Sequence, residues 1–195
     1  MTIRRPLLLS ICIAWFGAQP AWAELPLGWF VAGSAPNDYE FSVDTSTAQS
    51  GQSSALIAAK PGVNSSGFGT LMQVIDADHY RGARWRMSGY LKTAGVAKAQ
   101  MWMRVDGPDK KILSFDNMDS RPARGTTSWT RYEIVLDVPA DSVDIAFGFF
   151  LIQGSGKVWG DSFKFEKVDA TVPVTSPAPA APVLSKEPIN TDFEN

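Results

Sequence analysis

Residues 84–92, Arg84-Trp85-Arg86-Met87-Ser88-Gly89-Tyr90-Leu91-Lys92, decide the fold. In an extended chain Trp85, Met87, Gly89 and Leu91 fall on one side, and Arg84, Arg86, Ser88, Tyr90 and Lys92 on the other. A two-residue period with one apolar face marks a strand that lies over a core on one side and meets solvent on the other, as antiparallel sheets do. The period returns over residues 100–106, where Met101, Met103 and Val105 oppose Gln100, Trp102, Arg104 and Asp106. It returns again over residues 130–138 and 144–152, the latter setting Ile145, Phe147, Phe149 and Leu151 against Ala146, Gly148, Phe150 and Ile152. Shorter candidates are residues 39–44, 54–59, 68–76, 112–116 and 162–168, separated by turn signals such as Gly107-Pro108-Asp109, Pro139-Ala140-Asp141 and Gly154-Ser155-Gly156. No segment sustains a 3.6-residue period. The expected fold class is all-β, an antiparallel β-sandwich or jelly roll of about ten strands.

Composition narrows the function. The 195 residues carry 18 Lys and Arg against 20 Asp and Glu, with 19% charged and 11% aromatic residues. That describes one cored domain with appendages, too apolar for disorder and without the basic excess of a nucleic-acid partner. A single Cys and a single His nearly close off a Cys/His zinc cluster, a disulfide framework and a Cys–His nucleophile pair.

Residues 1–23 read as a secretory signal peptide. Arg4 and Arg5 form a charged start, residues 7–17 an apolar run too short to span a bilayer, and Ala21-Trp22-Ala23 a small-x-small cleavage pattern. Cleavage removes Arg4, Arg5 and Cys12, so the acidic excess grows and no cysteine remains. No later stretch is long and apolar enough to cross a membrane, so a periplasmic or secreted product is expected. Residues 24–169 carry the strand patterns. Residues 170–188 are rich in Pro, Ala, Val, Ser and Thr, with Pro173, Pro177, Pro179, Pro182 and Pro188, and read as a polyproline-leaning linker. Residues 189–195, Ile189-Asn190-Thr191-Asp192-Phe193-Glu194-Asn195, form a short terminal segment.

For catalysis, His79 in Asp76-Ala77-Asp78-His79-Tyr80 lies in a turn, with no G-x-S-x-G elbow in the chain, and nothing singles out a carboxylate pair. A binding role fits better. The outward sides of the central strands carry Arg86, Ser88, Tyr90, Trp102, Arg104, Arg131 and Glu133, expected on one sheet surface, with room above Ala146 and Gly148. An aromatic face for the C–H side of a sugar ring beside planar hydrogen-bonding groups for its hydroxyls is what glycan recognition requires. An ordinary solvated sheet face accounts for the same residues. Trp29, Trp85, Trp129 and Trp159 read as core or loop packing.

Several motifs occur in order: Leu27-Gly28-Trp29-Phe30, Ala48-Gln49-Ser50-Gly51-Gln52-Ser53-Ser54, Tyr80-Arg81-Gly82-Ala83-Arg84, Ser88-Gly89-Tyr90-Leu91-Lys92-Thr93, Trp129-Thr130-Arg131-Tyr132 and Lys157-Val158-Trp159-Gly160-Asp161. Together, over about residues 25–169, they resemble galactose-binding-like jelly-roll domains of the carbohydrate-binding-module type, in the subgroup found attached to bacterial regulators and secreted hydrolases. The resemblance implies a structural calcium, with Asp161 and Glu194 as carboxylate ligands and carbonyls from Ser50 and Gln52. Gln49, Gly160 and Ser162 depart from the pattern. Such domains also open with a strand resembling "NxxFE" ahead of the Gly-Trp segment, absent here, whereas residues 190–194 match it at the other end. The expectation is that residues 189–194 complete the sandwich, with Phe193 buried and Glu194 near Asp161, in a monomer or in a strand-swapped dimer. The function expected is that of an exported, non-catalytic module binding a carbohydrate or another cell-envelope ligand. An assembly protein acting through its C-terminal strand, or a hydrolase, are the alternatives.

Overall fold

A computed structural model describes residues 25–175. The leader, residues 176–188 of the linker, and the terminal segment 189–195 lie outside the described residues. Nine strands follow in chain order: β1 (Phe30–Gly33), β2 (Tyr39–Asp44), β3 (Ser54–Ala59), β4 (Phe68–Asp76), β5 (Ala83–Asp106), β6 (Ile112–Asp116), β7 (Ala123–Val138), β8 (Asp144–Ile152) and β9 (Lys157–Val168). Every pairing is antiparallel. The all-β class is as the alternation predicts, and β2, β3, β4, β6 and β8 take the residues expected of them.

The two central segments, 84–92 and 100–106, are one strand and not two. β5 runs unbroken for 24 residues and serves both layers. Its first half pairs with β9 and β7, its second half with β8 and β6. One layer therefore runs β2-β3-β9-β5-β7 and the other β1-β4-β8-β5-β6. The turn from one to the other occurs between Leu91 and Ala99, where the β5–β7 register slips three times. Gly95 and Gly125 take left-handed φ of +64° and +66° there, which lets both strands bend without a Cβ clash. Side chains take over the backbone groups that the bend frees. The Thr93 hydroxyl donates to the Gly125 carbonyl at 3.0 Å and accepts from the Thr127 amide at 3.1 Å, while the Thr126 hydroxyl accepts from the Gly95 amide at 3.0 Å.

The core fills the space between the layers. Met87, Leu91, Met101, Met103, Ile134, Phe149 and Leu151 are fully buried. Each contributes about 1.5–3 kcal/mol by leaving water. Facing rings join the layers: Phe149 stacks on Phe163 at 5.8 Å, Phe147 meets Phe165 edge-on at 4.9 Å, and Trp29 meets Phe147 and Phe163. Gly160, the departure noted in the sequence, lies where a Cβ would approach the Phe149 ring to 2.6 Å. Among the described residues no helix is long and apolar enough to cross a membrane.

Candidate functional site

The outer face of the β1-β4-β8-β5-β6 layer is built by the even-numbered residues of its central strands. Register places Phe68, Ile152 and Lys98 in one row, Thr70, Phe150 and Gln100 in the next, and Met72, Gly148 and Trp102 in the third. Gly148 leaves the middle of that third row bare. The half-buried Trp102 indole reaches across it, and its Nε1–H donates to the Thr70 hydroxyl on β4 at 3.0 Å. The Thr70 hydroxyl in turn donates to the Phe149 carbonyl at 2.8 Å, which fixes the acceptor. The indole is thereby held in one orientation over the sheet, because a buried N–H that loses its partner costs about 1–3 kcal/mol.

Polar groups ring this platform. Gln100, 1% exposed, donates through Nε2 to the Asn117 carbonyl at 2.6 Å. Arg104 reaches Asp106 with Nε at 2.9 Å and Nη2 at 2.8 Å, leaving the rest of its guanidinium to solvent. Lys98 pairs with Asp119 at the rim, and its ammonium holds the Asp119 carboxyl below the ordinary aspartate value. Phe68 and Phe150 lie 5.3 Å apart at one end, and Phe115 is exposed on β6 beside Arg104. Trp102, Gln100, Asn117, Asp119 and these rings enclose a shallow cavity of about 330 Å³.

The loop after β6 is fixed from below by Asp116, 4% exposed, which accepts from Arg121 Nη2 at 2.6 Å and from the Met118 amide at 2.7 Å. Burial pushes its carboxyl upward, but the bonds from Arg121, Thr175 and Met118 together hold it below the ordinary value. This anchor presents Asn117 and Asp119 to the cavity.

The seven residues expected on one surface are divided between two. Trp102 and Arg104 belong to the face just described. Arg86, Ser88, Tyr90, Arg131 and Glu133 lie on the outer face of the other layer, because β5 bends between its halves. There the charges answer one another. Arg86 lies 3.4 Å from Glu133 and 3.3 Å from Glu166, Arg131 pairs with Glu133, and Ser88 is buried. His79 is exposed in the turn between β4 and β5. Trp29 and Trp85 pack as expected, and the Trp159 indole donates to Asp44 at 2.7 Å with Lys92 over its ring. Lys98, Gln100, Asn117, Asp119, Phe68, Phe115 and Phe150 were not among the expected site residues. Gln100 and Phe150 share the outward alternation with Trp102 and Gly148, so that signal was present. The loop residues Asn117 and Asp119 gave none.

Of the implied calcium ligands, Asp161, Ser50 and Gln52 lie among the described residues. Asp161 Oδ2 accepts from the Gln49 and Ser50 amides at 2.7 and 3.1 Å, and Ser162 contacts Oδ1 at 3.3 Å. These two amide bonds make Asp161 Oδ2 a cap on the turn at Gln49 and Ser50. No group of three or more acidic, His or Cys side chains suited to a metal occurs among the described residues. Glu194 lies outside them.

No protein-family model matches the chain. The uncharacterized helix-turn-helix-type transcriptional regulator YbfP of Bacillus subtilis (strain 168) is 42% identical over 168 residues, covering 86% of this chain. The chain spans only 56% of that relative's length. Among solved structures, the CBM22-1 xylan-binding domain of Paenibacillus barcinonensis Xyn10C is similar with a TM-score of 0.54 and 16% identity, over 76% of this chain and 91% of that domain. The enzymatically active domain of bacteriophage CBA120 tailspike protein 4 gives a TM-score of 0.55 and 12% identity, over 73% of this chain and 20% of that one. The chain thus has the fold of the galactose-binding-like jelly-roll domains of the carbohydrate-binding-module type.

Proposed function

We propose that the chain is an exported, non-catalytic module that binds a glycan in the cavity beside Trp102. The observation that carries this reading is the half-exposed indole pinned over Gly148 by its bond to Thr70. A rigid aromatic surface takes the C–H face of a pyranose ring, and Arg104, Asn117 and the Lys98–Asp119 pair offer donors and acceptors at its edge. The likeness in fold to a xylan-binding domain supports a glycan as the ligand class. The leader pattern of residues 1–23 supports a periplasmic or secreted site of action.

Affinity electrophoresis and calorimetry against soluble xylan, β-glucan and galactan test it. Retardation by at least one polysaccharide, lost in Trp102→Ala, is the expected result. No binding across a panel that also covers cell-envelope glycans, by a protein with an intact melting transition, contradicts it.

A further inference from the structure

One end of the cavity beside Trp102 is a guanidinium with donors to spare. Arg104 gives Nε and Nη2 to a single oxygen of Asp106, at 2.9 and 2.8 Å, and its Nη1 makes no bond among the described residues. Asp106 is 2% exposed, and its Oδ1 has no hydrogen-bond partner. A buried carboxylate is costly unless paired, so this ion pair fixes the plane of the guanidinium. Two N–H groups on Nη1 are left for a ligand, on a side chain that is part-exposed and lines the cavity. An apolar surface adjoins them. Phe115 on β6 stands directly opposite Arg104 in register and on the same face, which sets their Cβ atoms about 5 Å apart. Phe115 is exposed and lines the same cavity. Trp102 lies two residues back along β5 on that face, about 7 Å away.

Charge on the far side of Arg104 limits what those donors can take. The next row across the sheet is Asp76, Asp144 and Asp106, on three neighbouring strands. Lys110 reaches Asp144 at 3.4 Å and Arg104 reaches Asp106, while Asp76 has no ion pair among the described residues and nearby Arg81 is paired with Asp78. Three carboxylates thus answer two cations, and the excess negative charge beside Arg104 disfavours an anionic ligand. We propose that the sugar bound beside Trp102 is a neutral, acetylated one, its acetyl carbonyl accepting from Arg104 Nη1 and its methyl group lying on Phe115. This rests on the reading that the cavity binds a glycan. A sugar hydroxyl would occupy the donors but leave the Phe115 ring in water. A carboxylate would occupy them too, but would meet the aspartate row. An acetyl group is planar and uncharged, with an acceptor at one end and a methyl at the other, and so suits donor, ring and field together.

Calorimetry with residues 24–195 and two matched ligand pairs tests this. One pair is cellotetraose and N-acetylchitotetraose, which differ by a hydroxyl against an acetamido group. The other is xylotetraose and its O-acetylated form, and xylotetraose carrying a glucuronic acid supplies an anionic arm. The acetylated member of at least one pair is expected to bind roughly tenfold tighter or more, and the pair that gains shows whether nitrogen or oxygen carries the acetyl group. Phe115→Ala and Arg104→Lys, the latter keeping a cation beside Asp106, are each expected to bring that ratio close to one in proteins whose melting transition is intact. The ligand comparison in the parent stands even where a variant fails to fold. Equal affinity within both pairs, with binding measurable, overturns the proposal and leaves the glycan site standing. A ratio unchanged in both variants also overturns it, as does tightest binding by the glucuronate arm. Failure of every ligand to bind overturns it together with the glycan site.

Discussion

The Trp102 indole on β5 donates to the Thr70 hydroxyl on β4 at 3.0 Å, spanning β8 at the one position in its row without a side chain. The bond makes orientation of the aromatic platform a property of the sheet and not of a loop. Thr70→Val keeps the shape and removes the acceptor. It is expected to cost about 1–2 kcal/mol of stability and to weaken glycan binding several-fold by calorimetry, while Trp102→Ala abolishes measurable binding.

The bare position is equally specific. A Cβ at Gly148 would approach the Leu71 carbonyl to 2.1 Å and the Met72 Cα to 2.9 Å, both backbone atoms of β4. Gly148→Val therefore has to push β4 from β8 and is expected to destabilise by about 3 kcal/mol or more. Urea unfolding measures this, and a midpoint within error of the parent would show that β4 and β8 are not so closely apposed.

Acid should loosen the loop after β6. Asp116 has its carboxyl held below the ordinary value, so its contribution is fully present above about pH 4 and fades as pH falls through the depressed value. Asp44, Asp119 and Asp137 shift in the same direction, through hydrogen bonds from Ser46 and Trp159, from Lys98 and from Arg84 respectively. Thermal midpoints should fall steadily below about pH 4, and Asp116→Asn should flatten part of that fall. The substitution itself is expected to cost about 2 kcal/mol, below the full value for a buried pair because Arg121 is partly exposed. An acid profile unchanged in Asp116→Asn would remove this carboxylate from the account.

The opposite face supplies a control. Arg131→Ala and Tyr90→Ala alter the β9-β5-β7 surface, where the ion pairs are solvent-exposed. Glycan affinity should stay within about twofold of the parent, with stability changes near 0–1 kcal/mol. Loss of binding in either variant would move the site to this layer.

Much of the fold was legible because each strand buries one face, and a two-residue period survives any tertiary arrangement. The path of β5 was not. Residues 84–106 keep odd positions inward on either side of the bend, and only at Gly95, exposed, and Val96, buried, does the alternation break, so Met87 and Leu91 share a phase with Met101 and Met103 although the chain has changed layers. Gly95 was the single local sign of a bend. The alternation alone therefore groups Trp102 and Arg104 with Arg86 and Tyr90 on one surface. Asn117 and Asp119 reach the cavity only through the Asp116–Arg121 anchor, a contact that pattern alone cannot reveal.

The most direct measurement is the indole N–H resonance of Trp102 in the ¹⁵N-labelled protein, assigned with Trp102→Phe and followed during titration with xylohexaose, cellohexaose and a β-galactan oligosaccharide. The account predicts that at least one glycan shifts this resonance and the Gln100 side-chain amide together, while the indoles of Trp85 and Trp159 hold still. A glycan that binds and moves only resonances of the Arg86–Glu133 face, or a Trp102 resonance unmoved by every glycan at millimolar concentration, would contradict it.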